Sequence, residues 1–171
     1  MTTPPLPNII LTGFMGTGKT TVGKLLAARL QRPFLDTDAL IVERDGRSIA
    51  DIFAQDGEAA FRALERTVAR ELAQQQGLII ATGGRLMLDE ANAAALSATG
   101  RVFCLTAVPE TILARVQGNA KRPLLNVPNP AQRIAELLAE RREGYGRFPQ
   151  ISTDGKTAVQ VVDEIVLAAG G

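Results

Sequence analysis

The sequence predicts an α/β layered fold with a mainly parallel sheet, in one domain spanning 1–171. Two observations predict it. Short apolar runs alternate with stretches whose apolar residues recur at helical spacing, from one end of the chain to the other. No repeat, low-complexity tract or linker divides the 171 residues, a length that suits one domain with a sizeable core.

Taken in order, the apolar run Asn8-Ile9-Ile10-Leu11-Thr12 reads as a buried first strand. Val22, Leu25, Leu26 and Leu30 then fall on one face of a helix over 19–30. Further strands are predicted at 33–36, 78–82, 101–106 and 150–153. Helices are predicted at 58–75, 89–98, 109–117, 130–143 and 157–168. Pro109 and Pro130 stand where the first turn of a helix tolerates proline. The stretch 118–129 interrupts the pattern; it is basic at its start and contains Pro123 and Pro128. It reads either as a surface connection or as a lid.

Between the first strand and the first helix lies Gly13-Phe14-Met15-Gly16-Thr17-Gly18-Lys19-Thr20. The spacing fits G-x-x-x-x-G-K-[ST], and a strand–loop–helix context is what that phosphate-binding loop requires. Its backbone N–H groups converge on phosphate oxygens at a helix N-terminus. Lys19 adds a mobile cation, and the Thr20 hydroxyl suits Mg²⁺.

Composition narrows the chemistry. The balance of 19 basic against 18 acidic residues argues against a general nucleic-acid or membrane-surface binder. With no histidine, base work falls to a carboxylate. The single cysteine, Cys104, excludes an intrachain disulfide and a cysteine zinc cluster, and its apolar neighbours make it a small core residue. No basic n-region, apolar h-region or membrane-length run is present, so a cytoplasmic location is expected.

The strand Leu78-Ile79-Ile80-Ala81-Thr82 runs into Gly83-Gly84 rather than an acid, against a motor-type ATPase. No N-K-x-D or D-x-x-G pattern marks a GTP switch. A small-molecule kinase remains. Asp36 and Asp38 close the second predicted strand, where alternation would turn both carboxylates to one side near the ligand-binding edge. They suit Mg²⁺ and an acceptor hydroxyl; a solvated strand end capping the next helix is the alternative. Arg62 and Glu65, three apart on a helix, form either an ordinary ion pair or an oriented fork for a carboxylate.

The series of the P-loop, Phe34-Leu35-Asp36-Thr37-Asp38, Gly57-Glu58-x-x-Phe61-Arg62-x-x-Glu65, Ala81-Thr82-Gly83-Gly84 and Arg122-Pro123-Leu124-Leu125 resembles the shikimate kinase family over nearly the whole chain. The resemblance implies a three-layer P-loop kinase fold, a five-stranded parallel sheet ordered 2-3-1-4-5, flanked by helices, with a short lid near 118–129 and an acceptor-binding helical part near 37–65. It implies transfer of the γ-phosphate of ATP to the 3-hydroxyl of shikimate, on the route to aromatic amino acids, by a monomer with no nucleic-acid or membrane partner. By position, Gly13, Gly16, Thr17, Gly18, Lys19, Thr20, Thr21, Arg115, Arg122 and Lys156 would serve the nucleotide. Thr20 and Asp36 would hold Mg²⁺. Asp38, Arg62, Gly83, Gly84 and Arg141 would serve the acceptor, with Lys19, Asp38 and Arg122 in the chemistry.

Two departures stand against the acceptor. The family's R-x-P-x-Y appears as Arg141-Arg142-Glu143-Gly144-Tyr145, without the proline, which leaves Arg142 an alternative to Arg141. The family's third glycine is Arg85. If that position needs positive φ, arginine is strained there. If not, Arg85 brings a cation to the acceptor pocket, where it would assist the carboxylate, make good an interaction missing around Tyr145, or recognise a different acid. It would otherwise point to solvent. The competing readings are thus a kinase of another hydroxy acid or polyol, and a nucleotide-binding module without turnover.

Overall fold

The computed structural model describes residues 3–117 and 127–170. Its strands are β1 (Asn8–Gly13), β2 (Phe34–Asp36), β3 (Ile79–Ala81), β4 (Gly100–Thr106) and β5 (Gln150–Ser152). All pairings are parallel, and the strand order is β2-β3-β1-β4-β5, as expected. The helices are α1 (Lys19–Leu30), α2 (Thr37–Asp45), α3 (Ile49–Asp56), α4 (Glu58–Ala73), α5 (Glu90–Thr99), α6 (Pro109–Val116), α7 (Pro130–Tyr145) and α8 (Ala158–Ala168). A 3-10 turn, Leu86–Leu88, follows β3.

Strand alternation builds the layers. Ile9, Leu11, Ile79, Phe103 and Leu105 pack with Val22 and Leu26 of α1 and with Val161, Val162 and Ile165 of α8. The residues of opposite parity, Ile10, Ile80 and Val102, pack with Val68 and Leu72 of α4 and Leu96 of α5. Because both faces are covered, the central strands read as unbroken apolar runs rather than alternating ones. A third cluster joins Phe14 and Cys104 to Ile112 and Val116 of α6 and to Ile134, Leu137 and Tyr145 of α7. This cluster fixes α7 against the P-loop side of the sheet. Burial pushes the Cys104 thiol up to about 11, against the lowering effects of Gln150 and Lys19, so it stays protonated near neutrality and behaves as core.

Asn8 has the parity of Ile10 and is fully buried. Its amide nitrogen donates to the carbonyls of Leu72 (3.3 Å) and Gln75 (2.9 Å), and its oxygen accepts from Leu78 N (2.9 Å). One side chain thus ties the end of α4 to the entries of β1 and β3. Asn8→Ala strands these buried backbone groups and is expected to cost about 2–4 kcal/mol, read from urea unfolding midpoints at an unchanged m-value. A midpoint equal to the parent's would remove Asn8 from the account of how the sheet is pinned.

The helices α2 and α3 occupy a segment for which the sequence pattern predicts no element. Asp36, the last residue of β2, caps α2 by accepting Ala39 N through Oδ1 at 3.1 Å, and Ser48 caps α3 by accepting Asp51 N at 3.1 Å. Gly46, at φ 86°, closes α2. The expected strand end at Asp38 is corrected by this: Thr37 already begins a helix, so Asp38 lies in its first turn and strand alternation does not govern it.

Candidate active site

The P-loop rises from β1 and runs into α1. Gly13 has φ 134°, and a Cβ there would lie 2.3 Å from the Leu105 carbonyl oxygen, so only glycine lets the loop leave the sheet beside β4. The Thr17 hydroxyl, buried, donates to Phe14 O at 2.7 Å and tightens the loop. The Lys19 amine arches back to Gly13 O (2.7 Å) and Phe14 O (3.0 Å). Thr20 Oγ1 donates to Asp36 Oδ2 at 3.0 Å, so Asp36 caps α2 with one oxygen and meets the first turn of α1 with the other.

A cleft of about 290 Å³ opens over the loop at the C-terminal edge of the sheet, lined by Lys19, Thr20, Thr21, Asp36, Asp38 and Gly83 among others. Both carboxylates reach it, although Asp38 comes from a helix rather than a strand. The amide of Gly83 donates to Thr37 Oγ1 at 2.9 Å and fixes the start of α2 beside the end of β3. A Cβ on Gly83 would lie 2.5 Å from Asp38 Oδ1, which is the local reason for glycine: the Asp38 carboxylate lies against the backbone.

A second cleft, about 260 Å³, adjoins the loop from the α8 side, lined by Thr17, Gly18, Thr21, Arg115, Thr153 and Lys156 with neighbouring residues. Arg115 is locked there by bonds to Gly16 O (3.1 Å), Thr153 Oγ1 (2.9 Å) and Thr153 O (3.1 Å). The Lys156 amine borders this cleft but bonds Ser152 O (2.9 Å) and Glu164 (2.6 Å).

On the other side, α4 presents Arg62. Its Nη1 bonds buried Glu65 at 2.6 Å, its Nη2 lies 3.3 Å from Glu58 Oε1, and its guanidinium lies over the rings of Phe61 (5.3 Å) and Phe53 (5.8 Å). Burial pushes the Glu65 carboxyl above its ordinary range; Arg62, and Arg85 from further away, oppose the rise. Arg141 of α7 stacks over the Phe14 ring at 5.1 Å and reaches the Tyr145 hydroxyl at 3.5 Å. That hydroxyl is buried and donates to Gly84 O. Burial raises its pKa against the charges of Arg141 and Arg85, so it remains a donor.

The geometry separates Arg141 from Arg142: Arg141 is half-buried beside Phe14 and Gly84, whereas Arg142 is exposed. The missing proline does not displace the helix end, because α7 continues to Tyr145 and Gly144 packs closely on Leu88. The expectation of a missing interaction around Tyr145 is therefore corrected: its hydroxyl bonds Gly84 and Arg141. Strain at Arg85 is corrected too, since its φ is −108°, ordinary for any residue. Sequence reasoning missed the pairings of Phe14 with Arg141 and of Glu58 with Arg85, which join separate elements; Glu58 with Arg62, four apart on α4, was within its reach. Of the lid expected near 118–129, residues 118–126, with Arg122, lie outside the described residues.

A P-loop facing paired carboxylates in one cleft at the C-terminal edge of a parallel sheet defines a phosphotransferase. Comparison with known proteins gives the family. A family model for shikimate kinase matches residues 15–169. The chain is 47% identical to the shikimate kinase of Symbiobacterium thermophilum over 163 residues, covering 93% of this chain and 94% of that protein. It is 47% identical to that of Geobacter sulfurreducens over 159 residues, covering 92% and 88%. A structure of shikimate kinase from Acinetobacter baumannii in complex with shikimate superposes with a TM-score of 0.89 at 39% identity, covering 95% of this chain and 92% of that one. The chain belongs to the shikimate kinase family. It is a kinase, and these relatives do not favour the readings of another hydroxy acid or of a module without turnover.

Proposed function

We infer that the protein transfers the γ-phosphate of ATP to the 3-hydroxyl of shikimate. The observation that carries this is the meeting, in one cleft, of the P-loop with Asp36, Asp38 and the Gly83-Gly84 backbone, with Arg141 close beside Gly84. The nucleotide phosphates lie along the loop amides, with adenine in the cleft beside Arg115 and Thr153. Lys19 leaves the loop carbonyls for the β- and γ-phosphates, exchanging neutral acceptors for charged ones. Arg62 and Arg141 take the acceptor's carboxylate, with Arg62 oriented by Glu65 and Arg141 by the Phe14 ring. Gly83 and Gly84 bring backbone to the ring, and Asp38 receives the acceptor hydroxyl.

Thr20 and Asp36 fit a hard divalent cation, since their oxygens stand 3.0 Å apart at the loop mouth. Among the described residues no group of three or more Asp, Glu, His or Cys could cage a metal, so phosphates and water would complete the shell. Bound there, Mg²⁺ would neutralise charge on the transferring group. The reading also makes the protein cytoplasmic and a monomer, and sedimentation of the purified enzyme checks the second.

A coupled ADP-release assay with shikimate and a panel of hydroxy acids and polyols tests the reaction, with and without EDTA. Turnover confined to shikimate and abolished by chelation is the expected result. Equal rates on another acid, or no ADP release at all, would overturn it.

A further inference from the structure

Arg85 is the residue in which this chain parts from the glycine of its family pattern, and the structure gives it a definite place. Its Nη1 lies 3.3 Å from Glu58 Oε1, the same oxygen that Arg62 Nη2 approaches at 3.3 Å. Glu58 is therefore shared between an arginine of α4 and one from the turn after β3. Arg85 also lines, with Arg141, a cleft of about 630 Å³ that runs along α7. Its charge acts on Glu65 on one side and on the Tyr145 hydroxyl on the other. It thus stands between the two arginines that face the acceptor.

The balance of charge on this wall depends on it. Arg62 and Arg85 share Glu58, and Arg62 also holds Glu65, so here two arginines meet two carboxylates. With glycine at 85 both carboxylates would face Arg62 alone. Along the outer rim of the cleft Arg147 pairs with Glu90 (3.6 Å) and Arg133 with Glu136 (3.5 Å), and Glu140 and Glu143 add negative charge, so no positive surplus comes from there.

We propose that Arg85 is a positioning residue for the acceptor, which neutralises Glu58 so that Arg62 keeps its charge for the acceptor's carboxylate. Glu65 then orients Arg62 from below, and Arg85 holds off the competing carboxylate from the side. The effect is electrostatic and half-exposed, so it is modest and screened by salt. This inference rests on the acceptor site described above.

The test is a double-mutant cycle of the parent, E58Q, R85G and E58Q/R85G, read in steady-state kinetics. R85G is expected to raise the KM for shikimate about 3- to 10-fold at low salt, to leave kcat and the KM for ATP within about twofold, and to flatten the dependence of the shikimate KM on NaCl. R85K, which keeps the charge, should recover most of the loss. E58Q/R85G, which removes the carboxylate together with its partner, should return the KM toward the parent value. A shikimate KM unchanged in R85G, or a double variant as poor as R85G alone, would overturn the proposal. A parent enzyme inactive on shikimate would instead remove the acceptor reading itself, so the two failures are distinguishable.

Discussion

Replacing Asp38 with asparagine is expected to lower kcat by about 10²- to 10⁴-fold while the protein remains folded and binds nucleotide. Asparagine keeps the size of the side chain and its place against Gly83, where the carboxylate already lies close to the backbone. It cannot take a proton, and it presents a donor where the acceptor hydroxyl needs an acceptor. Phosphoryl transfer of this kind passes through a loose transition state, in which orienting the hydroxyl counts as much as deprotonating it. Circular dichroism and nucleotide affinity equal to the parent's would place the loss in the chemical step. A parental kcat would remove Asp38 from the reaction.

Most of the sheet was legible because each strand is a short apolar run and each crossover helix carries its own period. The order of the strands was not in the periodicity; it followed from the resemblance alone. The segment 37–56 was opaque for a physical reason. In Asp36-Thr37-Asp38 a single carboxylate ends the strand, caps the helix and meets Thr20, so no loop separates β2 from α2. The usual marks of a helix start were present, in Asp36 three residues before Ala39 and Ser48 three before Asp51, but the two helices are only 9 and 8 residues long and follow each other with almost no loop between. At the site, residues that act from fixed backbone positions were readable, including the P-loop glycines and Arg62. The sharing of Glu58 by Arg62 and Arg85 was not, because it is set by where long side chains lie in space across 27 positions of sequence. The Tyr145 bond to Gly84 spans 61 positions and was hidden in the same way.

Arg62→Ala is expected to raise the KM for shikimate about 10²- to 10³-fold, with nucleotide binding nearly intact. Losing one partner of a desolvated, charge-assisted pair costs about 3–4 kcal/mol, and each 1.4 kcal/mol is tenfold. Arg62→Lys should recover little, since an ammonium keeps the charge but cannot form the planar fork that a carboxylate matches. Normal acceptor saturation in R62A would sink the assignment. A stability measurement on the same variant checks the environment of Arg62 independently of substrate. Burial raises the Glu65 carboxyl, and Arg62 is the main group opposing that rise. A folded state whose carboxyl pKa is raised holds its proton where the unfolded chain has released it, so stability falls as pH climbs from the unfolded value through the folded one. Without Arg62 the folded pKa climbs further. The Tm deficit of R62A relative to the parent should therefore widen as pH rises from about 5 to about 7. A deficit that stays constant across that range would mean that Arg62 does not hold the Glu65 carboxylate in its ionised form.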